Sequence, residues 1–418
     1  MDKIYDICCG IDVHKKLIVA CLNHKRKKEL REFGATTREL MELAEWLQKN
    51  ECEIVAMEST GSYWKPLYNI MESYGLHAIV VNPAHMKAVP GRKTDVKDAE
   101  WIAELLQHGL LQPSYIPSKD QRELRELVQY RKSLVGERTR ELNRLQKMLE
   151  GANIKLSGTV TNINGKSARK ILEYILSGNE IDEKKYDEKK YDEMYEEKLI
   201  AHNLKASKEQ ILDDLKGFMS PLQRRMLKEL LQHLDELNVH IENLNDEIDN
   251  FMKPEEKQAS QVIQDVTGIG NTSAQTIIAV IGTDMERFPS DRHISSWAGL
   301  CPGDNVSAKK RKSGKIRKGN ALLKSTLVLC AHAAVRHKSS YFHAQFKRIS
   351  THRGKKRAYV AVAHSILIAI YHILKDGVKY QDLGAEYYNQ FNAERKIHAY
   401  LKKLKALGWE PPKEAVPA

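Results

Sequence analysis

The sequence predicts a multidomain chain, α/β at its N-terminus and α thereafter, with a helical coiled-coil middle and a mostly helical, basic C-terminal region. Three observations carry this. β-prone runs alternate with amphipathic helices up to about residue 112. Apolar residues keep a 3-4 spacing from Leu227 to Phe251. Basic residues crowd the stretch 307–318. Alternating strands and helices favour an α/β sheet, and a sustained a/d seam favours paired helices.

Residues 4–13 are an apolar, β-prone run broken by Gly10, and 16–23 (KLIVACLN) follow as a second strand. A third, weaker strand is expected near 31–36. From 37 to 49, Leu40, Leu43, Ala44 and Leu47 fall at helical spacing. Residues 53–57 alternate as a strand, 62–74 read as a helix, 77–82 (HAIVVN) as a strand and 95–108 as a closing amphipathic helix. The order begins with hairpin-like connections before helices intervene.

Pro113 and Pro117 punctuate the chain and mark a change of regime. The divisions expected are an α/β domain over 1–115, a helical region over 116–257, a C-terminal domain over 258–375 and a tail over 376–418 with one amphipathic helix near 392–406. A long charged helix fills 118–150. The pentapeptide DEKKY occurs at 182–186 and again at 187–191, within a charged stretch that reads as a solvated helical insertion. Leu227, Leu230, Leu234, Leu237, Ile241, Leu244, Ile248 and Phe251 then form the seam. Its narrowness and charged flanks favour pairing with another protomer, the 118–150 helix being the alternative partner.

The chain has 418 residues, too many for one ordinary domain, and 42% are hydrophobic, which excludes global disorder. No run approaches the ~18–20 uninterrupted apolar residues of a membrane span, so no membrane role is expected. The first residues read as the approach to a strand, not as a secretory leader. Six cysteines without a CxxC pair read as structural thiols in a reducing cytoplasm. Lys and Arg number 67 against 55 Asp and Glu, a net charge of +12 that favours a polyanionic partner.

Four carboxylates stand out in the first domain. Asp12 lies inside the first strand, in GIDVHK, and Glu58 ends the fourth, in AMESTG. Asp95 and Asp98 lie three apart at the start of the closing helix, hence on one face. If the first and fourth strands are neighbours, all four could converge at one edge of the sheet. Oxygen donors suit a hard cation such as Mg²⁺ or Mn²⁺, and two such ions can clamp a phosphate undergoing displacement. Each acid has a plainer reading: Asp95 as a helix cap, Asp98 as a first-turn acid, Glu58 as a strand end. Asp12 is the hardest to explain so, because a charge in an apolar strand is costly without a partner.

In the C-terminal region, Gly268 and Gly270 form a Gly-x-Gly turn opening an Ala/Ile helix. Either the turn is merely tight, or its N–H groups contact a nucleic-acid phosphate. Residues 307–318 (SAKKRKSGKIRK) hold Lys309, Lys310, Arg311, Lys312, Lys315, Arg317 and Lys318 and no acid. A solvated basic loop is one reading. A serine surrounded by positive charge is also what a phosphate-attacking nucleophile requires.

The order of strands and acids resembles the RNase H/RuvC-like nuclease fold. More specifically, GIDVHK, AMESTGSYW and VNPAHMKAVPGRKTDVKDAEWIAELL resemble the N-terminal DEDD domain of the insertion-sequence-110, Piv-like transposases. The family's tetrad falls on Asp12, Glu58, Asp95 and Asp98 without departure. The GIG turn, AGL-x-P, a Ser five residues after that Pro, and KGN opening a helix resemble the same family's C-terminal domain. Its serine falls on Ser307; the family's usual Ser-Gly or Ser-Ala-Gly is here Ser307-Ala308-Lys309, which leaves Ser313-Gly314 a competitor. The two resemblances span about 1–150 and 258–345. They imply a DNA transposase with a divalent metal on the tetrad and a nucleophilic serine. They also imply donor and target DNA and a structured guide RNA, the bridge RNA, as partners, and a homo-oligomeric assembly. A RuvC-like nuclease using water as nucleophile and a non-enzymatic nucleic-acid-binding factor are the rival readings.

Overall fold

A computed structural model of the chain describes residues 3–24, 27–59, 61–82, 95–176, 208–215, 217–302, 305–307, 310–313, 316, 318–390 and 393–409. They fall into two units, Met1–Ser118 and Lys119–Ala418.

The first unit is a mixed six-stranded sheet. β1 (Ile7–Val13), β2 (Leu17–His24) and β3 (Lys27–Gly34) form an antiparallel meander, and β4 (Ile54–Glu58) and β5 (Ala78–Val81) continue it in parallel on the other side of β1. β6 (Pro113–Ser114) closes that edge antiparallel to β5, giving the order β3-β2-β1-β4-β5-β6. α1 (Thr37–Lys49) links β3 to β4, α2 (Trp64–Ser73) links β4 to β5, and α3 (Asp95–Gln107) follows. Thr36 caps α1, its side chain accepting from the Glu39 N–H, and Leu40, Leu43, Ala44 and Leu47 are buried as their spacing predicts.

β1 is buried along its whole length because the sheet is covered on both faces. Ile7, Cys9, Ile11 and Val13 pack in one cluster with residues of α1 and α2, including Leu43 and Leu67. The alternate positions face α3: Cys8 joins Ile102 and Leu106, and Val19 and Cys21 of β2 join Ala99 and Ala103. Strand β1 begins at Ile7, three residues later than the apolar run suggests, and Ile4 is exposed. The third strand begins at Lys27, four residues before its expected start. Its KKELREFG sequence has little hydrophobic alternation, so pairing with β2 sets its extent. Charge on this exposed edge also discourages further strand addition. β6 is too short to leave a sequence signal.

The second unit is almost wholly helical. α4 (Lys119–Gly151) is followed by α5 (Leu156–Thr159), α6 (Lys166–Leu176) and α7 (Lys208–Leu215), and then by α8 (Pro221–Phe251). Ser220 opens α8 with a capping box to Gln223. α4 and α8 run antiparallel: Leu124 and Val128 share a cluster with Ile248, Leu134 with Leu237, Ile241 and Leu244, and Leu145 and Leu149 with Leu227, Leu231 and Leu234. The seam of α8 is thus covered by α4 of the same chain, which corrects the expectation of another protomer. Leu231 takes the buried position assigned to Leu230, which is half-buried, and Phe251 is exposed. The 3-4 spacing is the same for an intramolecular and an intermolecular pair, so the sequence could not separate them. Leu237→Ala is expected to lower the unfolding free energy by about 2–4 kcal/mol in denaturant titrations. Unchanged stability with an altered mass by light scattering would return the seam to an intermolecular role.

The DEKKY repeat lies outside the described residues. Beyond α8 come α9 (Pro254–Ile263), α10 (Asn271–Ile281), α11 (Asp291–Trp297), the strands β7 (Asn305–Ser307) and β8 (Lys310–Ser313), α12 (Ala321–Ala334), α13 (Tyr341–Arg353) and α14 (Lys355–Asp376). α15 (Gly384–Gln390) and α16 (Ala393–Ala406) end the described chain. α10 is buried from Ala274 to Ile281 at the centre of the largest cluster, against α12 and α14. α14 is long and apolar enough to cross a membrane by length and composition alone. Its Val362, Ile366, Leu367 and Ile370 are instead packed into this protein core.

Arg131 of α4 is 2% exposed and ties three helices together. Its guanidinium donates to Asn245 Oδ1 of α8 at 3.0 Å and to Gln275 Oε1, Thr272 O and Thr276 Oγ1 of α10 at 2.6, 3.0 and 3.1 Å. Burial pulls its pKa down to about 10, so it stays charged near neutral pH, held by these acceptors. The six cysteines are free thiols, five of them buried. Burial pushes Cys8 and Cys52 up to about 12, so neither is a ready thiolate at neutral pH.

Candidate active site

Asp12 is one residue from the end of β1 and only 5% exposed. The parallel register pairs Gly10 with Ala56 and Ile11 with Met57, so the next step sets Asp12 beside Glu58 at the carboxyl ends of β1 and β4. Neighbouring strands lie ~4.8 Å apart. Asp12 shares the α3-facing side of β1 with Cys8 and Gly10, and Glu58 shares that side of β4 with Ile54 and Ala56. Glu58 is half-buried.

The helix is brought onto this face by a glycine. A Cβ on Gly10 would stand 2.2 Å from Ala103 N and 2.5 Å from Ala99 O, so α3 rests directly on the β1 backbone. Cys8 Sγ lies 3.7 Å from Ala103 O. From Ala103 back to Ala99 and then Asp98, the helix advances toward the end of β1 that holds Asp12. Asp98 is half-buried, and Asp95 is the first residue of α3. Three residues of the tetrad are therefore positioned at one end of the sheet by register and close packing, and the backbone of the fourth starts the same helical turn. The side chain of Asp95 and the segment 83–94 lie outside the described residues. Gly10→Ala is expected to displace α3, reducing thermal stability and DNA cleavage together. Retention of both would show that the helix is held otherwise.

His14 is an addition that the sequence reading missed. Its Nε2 lies 3.0 Å from Asp12 Oδ2, with the imidazole half exposed and the carboxylate buried. The signal was available: two residues onward along an extended chain returns to the same face. Among the described residues, no three of His, Cys, Asp and Glu are placed together closely enough to hold a metal ion. The donor chemistry nevertheless fits a hard cation, since the group is made of carboxylate oxygens and one of them is withdrawn from water.

The serine candidates belong to the second unit. β7 and β8 form an antiparallel hairpin in which Ser307 pairs with Lys310, Val306 with Arg311 and Asn305 with Ser313, with an irregularity between Asn305 and Val306. The basic loop of the sequence reading is therefore a hairpin that holds both serines, Ser307 at its turn and Ser313 at its base. Lys310, Arg311 and Lys312 lie on β8, and Lys318 is exposed beyond it. Lys309, Lys315 and Arg317 lie outside the described residues.

Gly268 and Gly270 have different duties. Gly268 has φ +94°, and a Cβ there would stand 2.5 Å from Cys330 O and 2.6 Å from Ala334 N. It serves a turn packed against α12. Gly270 is exposed, caps the N-terminus of α10 and, among the described residues, has no atom within 4 Å of the Cβ position.

The comparisons agree with both regions. The family model for the DEDD domain of IS110, described as "Transposase", matches residues 9–154. A second, "Transposase IS116/IS110/IS902 family", matches residues 260–347. The chain is 24% identical over 363 residues to "Transposase for insertion sequence element IS1111A" of Coxiella burnetii, covering 85% of this chain and 83% of that protein. It is 27% identical over 135 residues to "Insertion element IS110 uncharacterized 43.6 kDa protein" of Streptomyces coelicolor, 30% of this chain and 31% of that one. Among solved structures, "T. thermophilus RuvC in complex with Holliday junction substrate" is similar at a TM-score of 0.21 and 12% identity, over 26% of this chain and 100% of that chain. The sheet domain and the helical domain together define a DNA transposase. The chain belongs to the IS110 family of transposases.

Proposed function

We propose that this transposase cuts and rejoins DNA strands through a transient phosphodiester to Ser307, with the carboxylates of the first unit as ligands for divalent metal. The observation that carries the reading is the register that sets Asp12 beside Glu58 with α3 docked through Gly10 on the same sheet face. Asp12, Glu58, Asp95 and Asp98 would hold divalent metal, Mg²⁺ or Mn²⁺, which when bound neutralises charge on a phosphate under displacement. His14 fixes one oxygen of Asp12 and so limits how that carboxylate turns.

Ser307 loses its hydroxyl proton as its oxygen bonds to phosphorus. The bond from phosphorus to one deoxyribose oxygen breaks, and that oxygen takes up a proton. The phosphodiester is conserved in the serine link, so the reverse attack by a different deoxyribose hydroxyl rejoins DNA without an outside energy source. Lys309, Lys310 and Arg311 stabilise the charge that develops on the phosphoryl oxygens. A structured guide RNA selects donor and target in this reading, and assembly of several chains brings the two DNAs together. In this reading the reaction takes place in the cytoplasm.

Incubation with end-labelled DNA carrying the element's terminus, in Mg²⁺, is expected to give a denaturant-stable, protease-sensitive protein–DNA band. Cleavage that yields only protein-free ends would mean that water is the nucleophile.

A further inference from the structure

The second unit carries a groove of about 580 Å³ that no part of the reading above uses. One wall is a stripe of α4, on which Gln129, Lys132, Ser133, Gly136 and Arg140 repeat at helical spacing over about 16 Å. The other is the first turn of α12, Asn320 to Leu322. Among the described residues, no acidic one lines it. Lys132 and Arg140 are exposed; Lys132 Nζ donates to Ser325 Oγ of α12, and Arg140 meets Glu137 only at 3.7 Å across solvent, which is a weak pairing.

Gly136 supplies an independent observation. It stands inside a 33-residue helix, where glycine is a poor choice. Among the described residues nothing requires it: its φ is helical, and a Cβ there would meet only Arg140 Nη1, at 3.7 Å. A glycine that packs against nothing yet lines a basic groove leaves room for another molecule to approach the backbone. The charge of the surroundings indicates what kind. Three basic residues line the groove, Arg125, Lys132 and Arg140, and the 305–375 segment that contains α12 has seventeen Lys and Arg and no Asp or Glu.

We infer that this groove seats the phosphodiester backbone of the DNA, over Gly136 and between Lys132 and Arg140. DNA rather than RNA is the occupant because the α12 wall begins at Asn320, seven residues after Ser313, so a strand held here leads to the serine hairpin. The inference rests on the proposed function in that one respect.

The test titrates the full chain with a fluorescent DNA duplex, and with an RNA stem of equal length, by anisotropy over a salt series. Lys132→Gln with Arg140→Gln is expected to reduce the slope of log affinity against log salt for DNA by about two. Gly136→Leu is expected to weaken DNA binding about tenfold or more, the loss of roughly two phosphate contacts, while raising the melting temperature, since leucine is the better helix former. Unchanged DNA affinity in a folded Gly136→Leu chain, or a loss confined to the RNA stem, would overturn the inference. The same titration on Ser307→Ala keeps the two readings apart. Groove binding should persist there, so a chain that binds normally but forms no serine adduct in any variant counts against the proposed chemistry and leaves the groove standing.

Discussion

Asp12→Asn is expected to reduce DNA strand cleavage by about a hundredfold to a thousandfold, while leaving nucleic-acid binding close to that of the parent chain. The size follows from what is removed. Removing one preorganised group that stabilises transition-state charge costs about 2.7–4 kcal/mol, and the buried Asp12 carboxylate, set beside Glu58 by register, would act so by holding metal. The fold should survive, because asparagine matches aspartate in shape and removes one of two neighbouring carboxylate charges. Cleavage in Mg²⁺, binding by anisotropy and thermal melting together check this. Ordinary cleavage by a folded Asp12→Asn chain would remove Asp12 from the site, whereas loss of cleavage with loss of folding would make it structural.

Ser307→Ala is expected to eliminate both recombination and any covalent protein–DNA species, and Ser313→Ala to reduce them only in part. Both serines are on one hairpin, so a general disturbance of the hairpin should affect the two variants alike. A difference between them isolates the hydroxyl. A serine is a weak nucleophile near neutral pH and depends on its surroundings to stabilise the alkoxide and the phosphorane-like charge. Ser307 pairs with Lys310 beside the turn, and Ser313 with Asn305 at the base. Gel analysis of the adduct in the two variants decides between them.

The first unit was legible in the sequence because its elements are separated by punctuation and most of its strands are apolar, β-prone runs. Gly10 illustrates the limit. It appeared only as an interruption of a strand, whereas its role as the seat of α3 depends on Ala99 and Ala103, about ninety residues away. His14 was within reach of simple alternation but lay beyond the apolar run that drew attention to Asp12. The partner of the α8 seam was not legible, since a heptad pattern specifies a complementary face and not the chain that supplies it. The hairpin at 305–313 was hidden for another reason: lysines and arginines give no hydrophobic period from which to infer strands. Arg131 reads as one more surface charge of a charged helix, and its burial follows from the meeting of α4, α8 and α10.

The measurement that bears most directly on the central claim is peptide mapping by mass spectrometry of the protein–DNA species trapped in Mg²⁺ and digested with protease and nuclease. The account predicts a nucleotide-phosphate mass on the peptide that contains Ser307, absent from the Ser307→Ala chain and from Asp12→Asn. A nucleotide on the Ser313 peptide, or cleaved DNA with no modified serine at all, would contradict it.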